Sequence, residues 1–246
     1  MNKQLLSDPG LAHHEVYRGA HIYIMQDEVG LHPRDASNLG TLVVSDTGSG
    51  LACPREGDMA LRSDSELDSF VLDLAGSLEE REEPFLLLDD ALEVLEKHAV
   101  YILFRLRDYG SGGYSLSETD DVEHYTGILY VEDEDIEREM IGGSRERALE
   151  VLRAELAELR YYVTRDQYGY IAETEAGETI GSCWGFAGYD PRGTDKHSSW
   201  GYMLEEARSE IDYHITAARK RHAERVKAWI RNRVPLAYRS PFTLCA

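Results

Sequence analysis

The chain has 246 residues, with 46 acidic and 26 basic side chains and a net charge of −20 at pH 7. Apolar residues make up 42% of it and the mean hydropathy is −0.44, which is enough apolar content for a packed core and excludes a wholly disordered chain. No apolar run approaches the ~18 residues of a membrane-spanning helix, and the first residues lack the hydrophobic core of a signal peptide. The sequence therefore predicts a cytoplasmic protein that does not cross a membrane.

Hydrophobic periodicity predicts both strands and helices in the first half of the chain. Residues 16–26 are rich in β-forming side chains and predict one strand, and residues 41–45 predict another. Apolar residues that recur every three or four positions predict a helix over 65–78, capped by Ser65, and a second helix over 89–98.

The middle of the chain continues the mixture. Residues 99–107 are strongly β-prone and predict a buried central strand, and 125–131 predict a further strand. A stripe of leucines predicts an amphipathic helix over 144–163 that begins at Ser144.

The last third of the chain predicts a hairpin and a long helix. Residues 168–172 and 179–184 flank a turn at 176–177, and 202–234 read as a long helix that ends in a basic tail. One face of that helix is predicted to be apolar: Leu204, Ala207, Ile211, Ile215, Ala218, His222, Val226 and Trp229.

These elements alternate without a regular βαβ order. They predict the α+β class, with a mixed or antiparallel sheet, flanking helices and a long C-terminal helix. No Pro-rich or Gly/Ser-rich linker divides the chain, so we expect a single α+β domain over 1–246, with 79–90 as the weakest candidate boundary.

The charge is divided unevenly along the chain. Residues 217–246 hold eight basic side chains and one acidic one, a net charge of +7, whereas residues 1–216 carry −27. An acidic surface repels phosphates, so direct nucleic-acid binding is not expected. The basic tail either complements the dipole at the end of its helix or meets an acidic surface on a partner or a second copy of the chain.

Two acidic blocks hold much of the surplus charge. Residues 64–96 contain twelve acids and one base, and residues 118–139 contain ten acids and one base. Carboxylates on a fixed surface can occupy the basic groove of a nucleic-acid enzyme, whereas a single acidic block more often serves only as a solvated surface. We expect the partner-binding residues to be Asp64, Glu66, Asp68, Glu79, Glu80, Glu82, Glu83, Asp89, Asp90, Asp120, Asp121, Glu132, Asp133, Glu134 and Asp135.

The segment Gly181-Ser182-Cys183-Trp184-Gly185-Phe186 resembles the nucleophile segment of papain-like cysteine proteases. Such an enzyme needs a thiolate at a helix N-terminus and a distant histidine as base, but this segment reads as a hairpin strand and only 63 residues follow Cys183. Packing of Cys183, Trp184 and Phe186 in the hairpin is the simpler interpretation, and no catalytic residue is assigned.

Metal and cofactor motifs are missing from the sequence. Cys53, Cys183 and Cys245 are far apart and form no CxxC pair, which indicates a reducing compartment. His13 and His14 would point to opposite faces of a strand, so they are not expected to share a metal. No HExxH, GxGxxG or GxSxG motif occurs, and we expect no metal and no cofactor.

Several islands of sequence resemble a family of uncharacterised proteins of bacteriophages and conjugative elements. They are Pro33-Arg34-Asp35 with Asn38-Leu39-Gly40-Thr41, Gly127-Ile128-Leu129-Tyr130-Val131, Tyr168-Gly169-Tyr170, and the hairpin with Ser182-Cys183-Trp184-Gly185-Phe186. The Cys-x-Trp-Asp-Ser-Gly stretch that family members tend to carry is replaced here by residues 116–121. The resemblance implies a mobile-element origin and action in a bacterial cytoplasm, with no established activity.

Three functions remain open from the sequence. The first is an acidic phage or mobile-element accessory protein that binds and inhibits a host nucleic-acid-handling defence enzyme, such as a CRISPR effector or restriction system, by nucleic-acid mimicry. The second is a cysteine-dependent enzyme that uses Cys183 with a histidine. The third is a non-catalytic scaffold or self-assembling protein whose basic helix pairs with acidic faces of neighbouring copies.

Overall fold

The structure is a computed structural model of the chain. It describes residues 2–30, 32–35, 38–45, 51, 57–80, 85, 87–110, 113–139, 143–233 and 238. Its helices are α1 (Lys3–Leu6), α2 (Asp64–Leu78), α3 (Leu88–His98), α4 (Asp133–Glu139), α5 (Arg145–Val163) and α6 (Trp200–Arg233), with a 3-10 turn at Pro33–Asp35. Its strands are β1 (Leu11–Tyr17), β2 (Ala20–Gln26), β3 (Thr41–Val44), β4 (Met59–Ala60), β5 (Ala99–Asp108), β6 (Tyr114–Glu118), β7 (Gly127–Glu132), β8 (Gln167–Glu173) and β9 (Thr179–Ala187). The predicted α+β class with a long C-terminal helix is confirmed.

Contacts within the chain group into two compact units. The acidic stretch 79–90 lies inside the second unit, and a single domain over 1–246 stays a prediction. The first unit consists of Met1–Gln26, Tyr168–Trp184 and Ser199–Ala246, and the second of Asp27–Gln167 and Gly185–Ser198.

The first unit is built on a four-stranded sheet in the order β1-β2-β8-β9. β2 pairs antiparallel with β1 and with β8. The single strand predicted over 16–26 is wrong, because Arg18 and Gly19 adopt positive φ angles of 51° and 84° and reverse the chain between β1 and β2. Two positive φ angles suit the twist of a hairpin, but Asn and Gly are the residues usually found there, so Arg18 gave no turn signal.

The second hairpin and the long helix follow the sequence pattern only in part. The β8–β9 hairpin with its turn at Gly177 is confirmed. α6 starts two residues earlier than predicted, and Val234 lies outside the described residues. The buried side chains of α6 are Trp200, Met203, Ala207 and Ile211. Farther along the predicted apolar face, the side chains are exposed: His222, Val226 and Trp229.

The second unit is built on a five-stranded sheet in the order β4-β3-β7-β5-β6. β3 pairs parallel with β4, and the β3–β7, β7–β5 and β5–β6 pairs are antiparallel. β7 lies at the centre of this sheet, and five of its six residues are buried. The strand predicted over 99–107 is confirmed as β5, but it is not the central strand: it lies between β7 and β6, and β6 pairs only with its second half.

Helices cover both faces of the five-stranded sheet. α2 and α3 pack on the face that carries Val43, Leu103 and Ile128, whereas α5 packs on the face that carries Leu42, Phe104 and Leu129. β5 therefore sends alternate side chains into two apolar layers, which explains why its sequence reads as a continuous apolar run.

Side-chain caps fix where the long helices of the second unit begin. Ser144 caps α5 as predicted, and its hydroxyl accepts a hydrogen bond from the Arg147 amide. Ser63 and not Ser65 caps α2, because the Ser63 hydroxyl accepts the Glu66 amide. Ser63 lies two positions before the predicted cap and, like Ser65, is followed by an acidic residue.

Candidate functional site

The second unit contains an open cleft of about 630 Å³ beside the first half of β5. α3 forms one wall of the cleft, and the first turns of α5 together with the end of β6 form the other. Its lining residues are Asp89, Leu92, Glu93, Glu96, Ala99, Val100, Tyr101, Ile102, Leu103, Glu118, Thr119, Asp120, Val122, Arg145, Glu146 and Leu149.

Acidic side chains dominate the polar lining of this cleft. Six carboxylates line it, three from α3 and three from the opposite wall: Asp89, Glu93, Glu96, Glu118, Asp120 and Glu146. They come from both acidic blocks of the sequence, with Glu146 added from α5. Across the residues that the structure describes, no Arg, Lys or His side chain lies within 4 Å of Asp89, Glu93, Glu96 or Asp120.

Among the described residues that line the cleft, the one basic side chain already has partners. Arg145 Nη1 lies 2.6 Å from Asp133 Oδ2, and its Nη2 donates to the carbonyl oxygens of Glu96 and Ala99. These contacts tie the end of α3 and the start of β5 to α5. Arg145 therefore closes one end of the cleft and leaves the six carboxylates in excess.

Local structure explains why the α3 carboxylates share one wall. Asp89, Glu93 and Glu96 are spaced by four and three residues, so they lie on one face of the helix. The opposite face of α3 buries Ala91, Val94 and Leu95 in the core. The same periodicity that predicts the helix thus directs its acids to the cleft.

The opposite wall is formed by two separate elements. Glu118 ends β6 and pairs with Arg153 at 2.9 Å, after which the chain leaves the sheet at Asp120. Glu146 lies in the first turn of α5, where a hydrogen bond with the Ser144 side chain lowers the pKa of its carboxyl group. The carboxyl group of Glu146 therefore remains ionised at neutral pH.

Tyr101 is the half-buried aromatic residue of the cleft floor. Burial, together with the charge of Glu96, raises the pKa of the Tyr101 phenol to about 12. Tyr101 therefore keeps its proton at neutral pH and presents a hydrogen-bond donor beside the carboxylates.

The residues predicted to bind a partner lie in several places on the second unit. Asp89 and Asp120 line the cleft, Asp90 is exposed on α3, and Glu82 and Glu83 lie outside the described residues. The α2 set is Asp64, Glu66 and Asp68 in the first turns, followed at the C-terminal end by Glu79 and Glu80. Glu93, Glu96, Glu118 and Glu146 were not on the predicted list, although the first three belong to the acidic blocks.

Hydrogen bonds hold some of the α2 acids in place. Asp64 accepts the Ser45 hydroxyl, and Asp68 accepts the Tyr125 hydroxyl at 2.8 Å. Burial and the Asp68 carboxylate raise the pKa of the Tyr125 phenol. Asp68 therefore fastens α2 to the segment before β7 besides adding charge.

The predicted acids of the second block include the start of α4 and Asp121. Asp121 pairs with His124, and Asp133 and Asp135 pair with Arg145 and Arg138. Glu132 is half-buried, and burial, followed by the charges of Asp135 and Glu134, raises its pKa. Pairing with arginine thus neutralises two of the predicted acids, Asp133 and Asp135, whereas no arginine or lysine of the described residues pairs with the α3 wall of the cleft.

The Pro33-Arg34-Asp35 island has a structural explanation. The Arg34 side chain is fully buried and donates to both oxygens of Asp58, at 2.8 and 2.7 Å, and to Glu155 Oε2 at 3.0 Å. It also donates to the Gly40 carbonyl at 2.6 Å. Burial raises the pKa of Glu155, against the Leu39 amide and the Arg34 charge, which lower it. This network joins three distant segments of the second unit.

Cys183 lies on β9 and is half-buried. Its sulfur approaches the Trp184 carbonyl oxygen at 3.9 Å, and no histidine ring hydrogen bonds to it in the described part of the chain. The Trp184 ring lies over Gly169 of β8, where an added Cβ would fall 2.3 Å from Trp184 Cε3. The Trp184 ring thus fills space that a glycine leaves open, as expected for hairpin packing.

The two adjacent histidines of β1 point in different directions. His13 packs edge-on against Trp200, whereas the His14 Nε2 lies 3.1 Å from the His21 Nδ1. Burial, followed by the charge of His21, lowers the pKa of His14. Within the described ranges, no cluster of three or more His, Cys, Asp or Glu side chains is arranged to hold a metal ion.

No family model, curated protein or solved structure matches this chain. In the part of the chain that the structure describes, no helix combines the length and apolar character required to cross a membrane.

Proposed function

We propose that this protein binds a basic surface of a host nucleic-acid-handling defence enzyme and inhibits it, with the acidic cleft of the second unit as the binding site. One observation carries the proposal: acids that are far apart in sequence converge on a single cleft whose only basic residue is already bound. The partner is a CRISPR effector or a restriction enzyme, and the mobile-element origin rests on the family resemblance.

The electrostatics of the cleft support this role. A concave surface with six carboxylates raises the local negative potential, because its low-dielectric walls focus the field. Such a field accelerates the encounter with a basic groove and makes the affinity fall with salt. α2 and α4 carry further acids of the second unit, of which Asp133 and Asp135 pair with arginines.

Neutralising the α3 wall and Asp120 should weaken inhibition. In a competition assay, labelled duplex DNA bound to a purified defence enzyme is displaced by the full-length protein at rising salt concentrations. We expect the fourfold variant Asp89→Asn, Glu93→Gln, Glu96→Gln, Asp120→Asn to raise the concentration needed for displacement about tenfold or more, because rim charges set the encounter rate and the salt dependence.

The matched control removes the same number of charges from exposed residues that do not line the cleft: Glu28→Gln, Glu175→Gln, Glu178→Gln and Glu205→Gln. If both variants lose the same activity, net charge alone acts and the cleft is not the site. Displacement that does not change with salt, or its absence with every basic-groove enzyme tried, contradicts the proposal.

A further inference from the structure

We propose that the cleft takes an extended, lysine- or arginine-rich segment of the partner protein, which adds to the five-stranded sheet as a short strand along the open edge of β5. This inference rests on the proposed function, because it uses the same cleft. It names what the cleft recognises: backbone hydrogen bonds from a strand, together with cationic side chains.

The two edges of β5 are paired over different lengths. Along one edge, residues Ala99–Phe104 pair with β7. Along the other edge, β6 pairs only with Phe104–Asp108, and the last bond runs from the Thr119 amide to the Leu103 carbonyl at 2.9 Å. Among the strands that the structure describes, none therefore lies beside the first half of β5 on the side of the cleft.

The direction of the backbone groups follows from the pairing. The Phe104 carbonyl accepts the Thr126 amide on the β7 side. Because backbone groups of successive strand residues point to opposite edges, Val100 and Ile102 also bond toward β7. Ala99, Tyr101 and Leu103 therefore direct their amide and carbonyl groups toward the cleft.

The groups at the two ends of this edge are already used. The Ala99 amide donates to the Leu95 carbonyl and the Ala99 carbonyl accepts Arg145, while the Leu103 carbonyl accepts Thr119. Between them, the Tyr101 amide and carbonyl face the cleft, and no group of another described element hydrogen bonds to them. An unpaired donor and acceptor on a strand edge form the template for strand addition.

The size of the gap fits a short strand. Ala99 to Leu103 covers about 14 Å at ~3.4 Å per residue, and the cleft holds about 630 Å³. Arg145 limits the gap at one end and Thr119 at the other. The added strand would run antiparallel to β5, in line with β6.

The walls of the cleft specify the side chains of the added strand. Successive residues of a strand point to opposite faces, so they reach α3 and α5 in turn. Glu93 and Glu96 lie on the α3 side and Glu146 on the α5 side, while Leu92 and Leu149 offer apolar contact to the stems of long cationic side chains. Lysine and arginine therefore suit both walls, because their charged groups can pair with the carboxylates and their aliphatic stems can pack on the leucines.

A second copy of the chain is a poorer occupant. Its cations at 219–233 lie on α6, which is helical throughout that range. A helix has no free backbone amide for the Tyr101 carbonyl, since its interior amides bond within the helix. The structure therefore favours a separate partner with an extended basic segment.

The test uses the full-length protein and a fluorescein-labelled peptide of sequence KVRVKVR. Fluorescence anisotropy compares it with the same peptide N-methylated at alternate residues, in both registers, which keeps the charge and removes the strand amides. We expect each loss of a backbone hydrogen bond to weaken binding, in total by about tenfold or more. Hydrogen exchange at the Tyr101 amide should slow by about tenfold or more when the unmodified peptide binds.

Protein variants separate charge from position. Glu93→Lys with Glu96→Lys should abolish peptide binding, whereas the charge-matched pair Glu28→Lys with Glu178→Lys should retain most of it. Circular dichroism at rising temperature verifies that both variants fold. Equal affinity of methylated and unmethylated peptides, or unchanged exchange at Tyr101, overturns strand addition.

Other outcomes distinguish the two proposals. If the wild-type protein displaces DNA from the enzyme but ignores the peptides, the strand inference is wrong and the proposed function stands. If the peptides bind but no DNA is displaced, the proposed function is wrong. If light scattering shows a dimer that Glu93→Lys with Glu96→Lys dissociates, the occupant is a second copy and the inference is overturned.

Discussion

Replacing Arg34 with methionine is expected to lower the free energy of unfolding of the second unit by about 3–5 kcal/mol, the usual loss when one partner of a buried ion pair is removed. The variant leaves Asp58 and Glu155 without their shared cation at sites where the side chains are only 2% and 8% exposed. It also leaves the Gly40 carbonyl without this donor. The three tryptophans lie in the first unit, so native-state hydrogen exchange of the β5 and β7 amides is the measurement.

The pH dependence of this variant follows from the buried carboxyl group. Burial already raises the pKa of Glu155 in the native protein, and loss of Arg34 removes an interaction that lowers it. A carboxyl group with a raised pKa in the folded state favours folding below its unfolded pKa, and that contribution is lost as the pH rises through the folded pKa. The defect of Arg34→Met should therefore be largest at neutral pH and shrink as the pH falls toward the unfolded value.

Two further variants test whether the Arg34 effect depends on burial and geometry. Arg153 forms an exposed pair with Glu118, so Arg153→Met should change stability by only about 0–1 kcal/mol. Arg34→Lys keeps the charge but not the planar pair of donors, so it should recover only part of the loss. A stability of Arg34→Met within about 1 kcal/mol of the native protein would show that the network contributes little.

The Gly127→Ala variant is expected to lose about 1–3 kcal/mol of stability because it overfills a packed layer. Gly127 lies opposite Phe104 across β7 and β5, and an alanine Cβ would fall 2.1 Å from Phe104 Cζ. Phe104 is fully buried, so its ring has no free space into which to move. The same hydrogen-exchange measurement on the second unit reports the change.

The control for Gly127→Ala is Gly76→Ala in α2. No atom lies within 4 Å of the added Cβ at Gly76, so alanine should stabilise the unit by about 0.5–1 kcal/mol through its better helix propensity. The double variant Gly127→Ala with Phe104→Leu should recover part of the loss, because the smaller side chain makes room. If Gly127→Ala were as stable as the wild type, β5 and β7 would accommodate the added methyl group without strain.

Local pattern was sufficient where the apolar side chains of a helix or strand are buried, in one layer for α5 and in two layers for β5. The leucine stripe predicts α5 together with its cap at Ser144, and the β-prone run 99–107 predicts β5. The prediction failed where a turn used an unusual residue, as at Arg18. In α6 the apolar pattern continues over residues that are exposed. Hydrophobic periodicity indicates that a helix has an apolar face, but it does not indicate whether another element packs on that face.

The site needed information that no local pattern contains. Glu96 and Asp120 line the same cleft because β6 is shorter than β5, and strand length and order depend on pairing between distant residues. Glu146 gave no separate signal, since it is an ordinary acid in the first turn of a helix. Arg34 stood in a recognisable island, but its two partners lie 24 and 121 residues away.

The short β6 also has a consequence for how copies of this chain behave toward one another. A bare strand edge is a hazard, because it can pair with the identical edge of a neighbouring molecule and begin an aggregate. Here six carboxylates surround the bare segment, so two such edges that approach each other bring like charges together. The carboxylates that attract a cationic strand therefore also oppose pairing between the same edges of two copies of the chain.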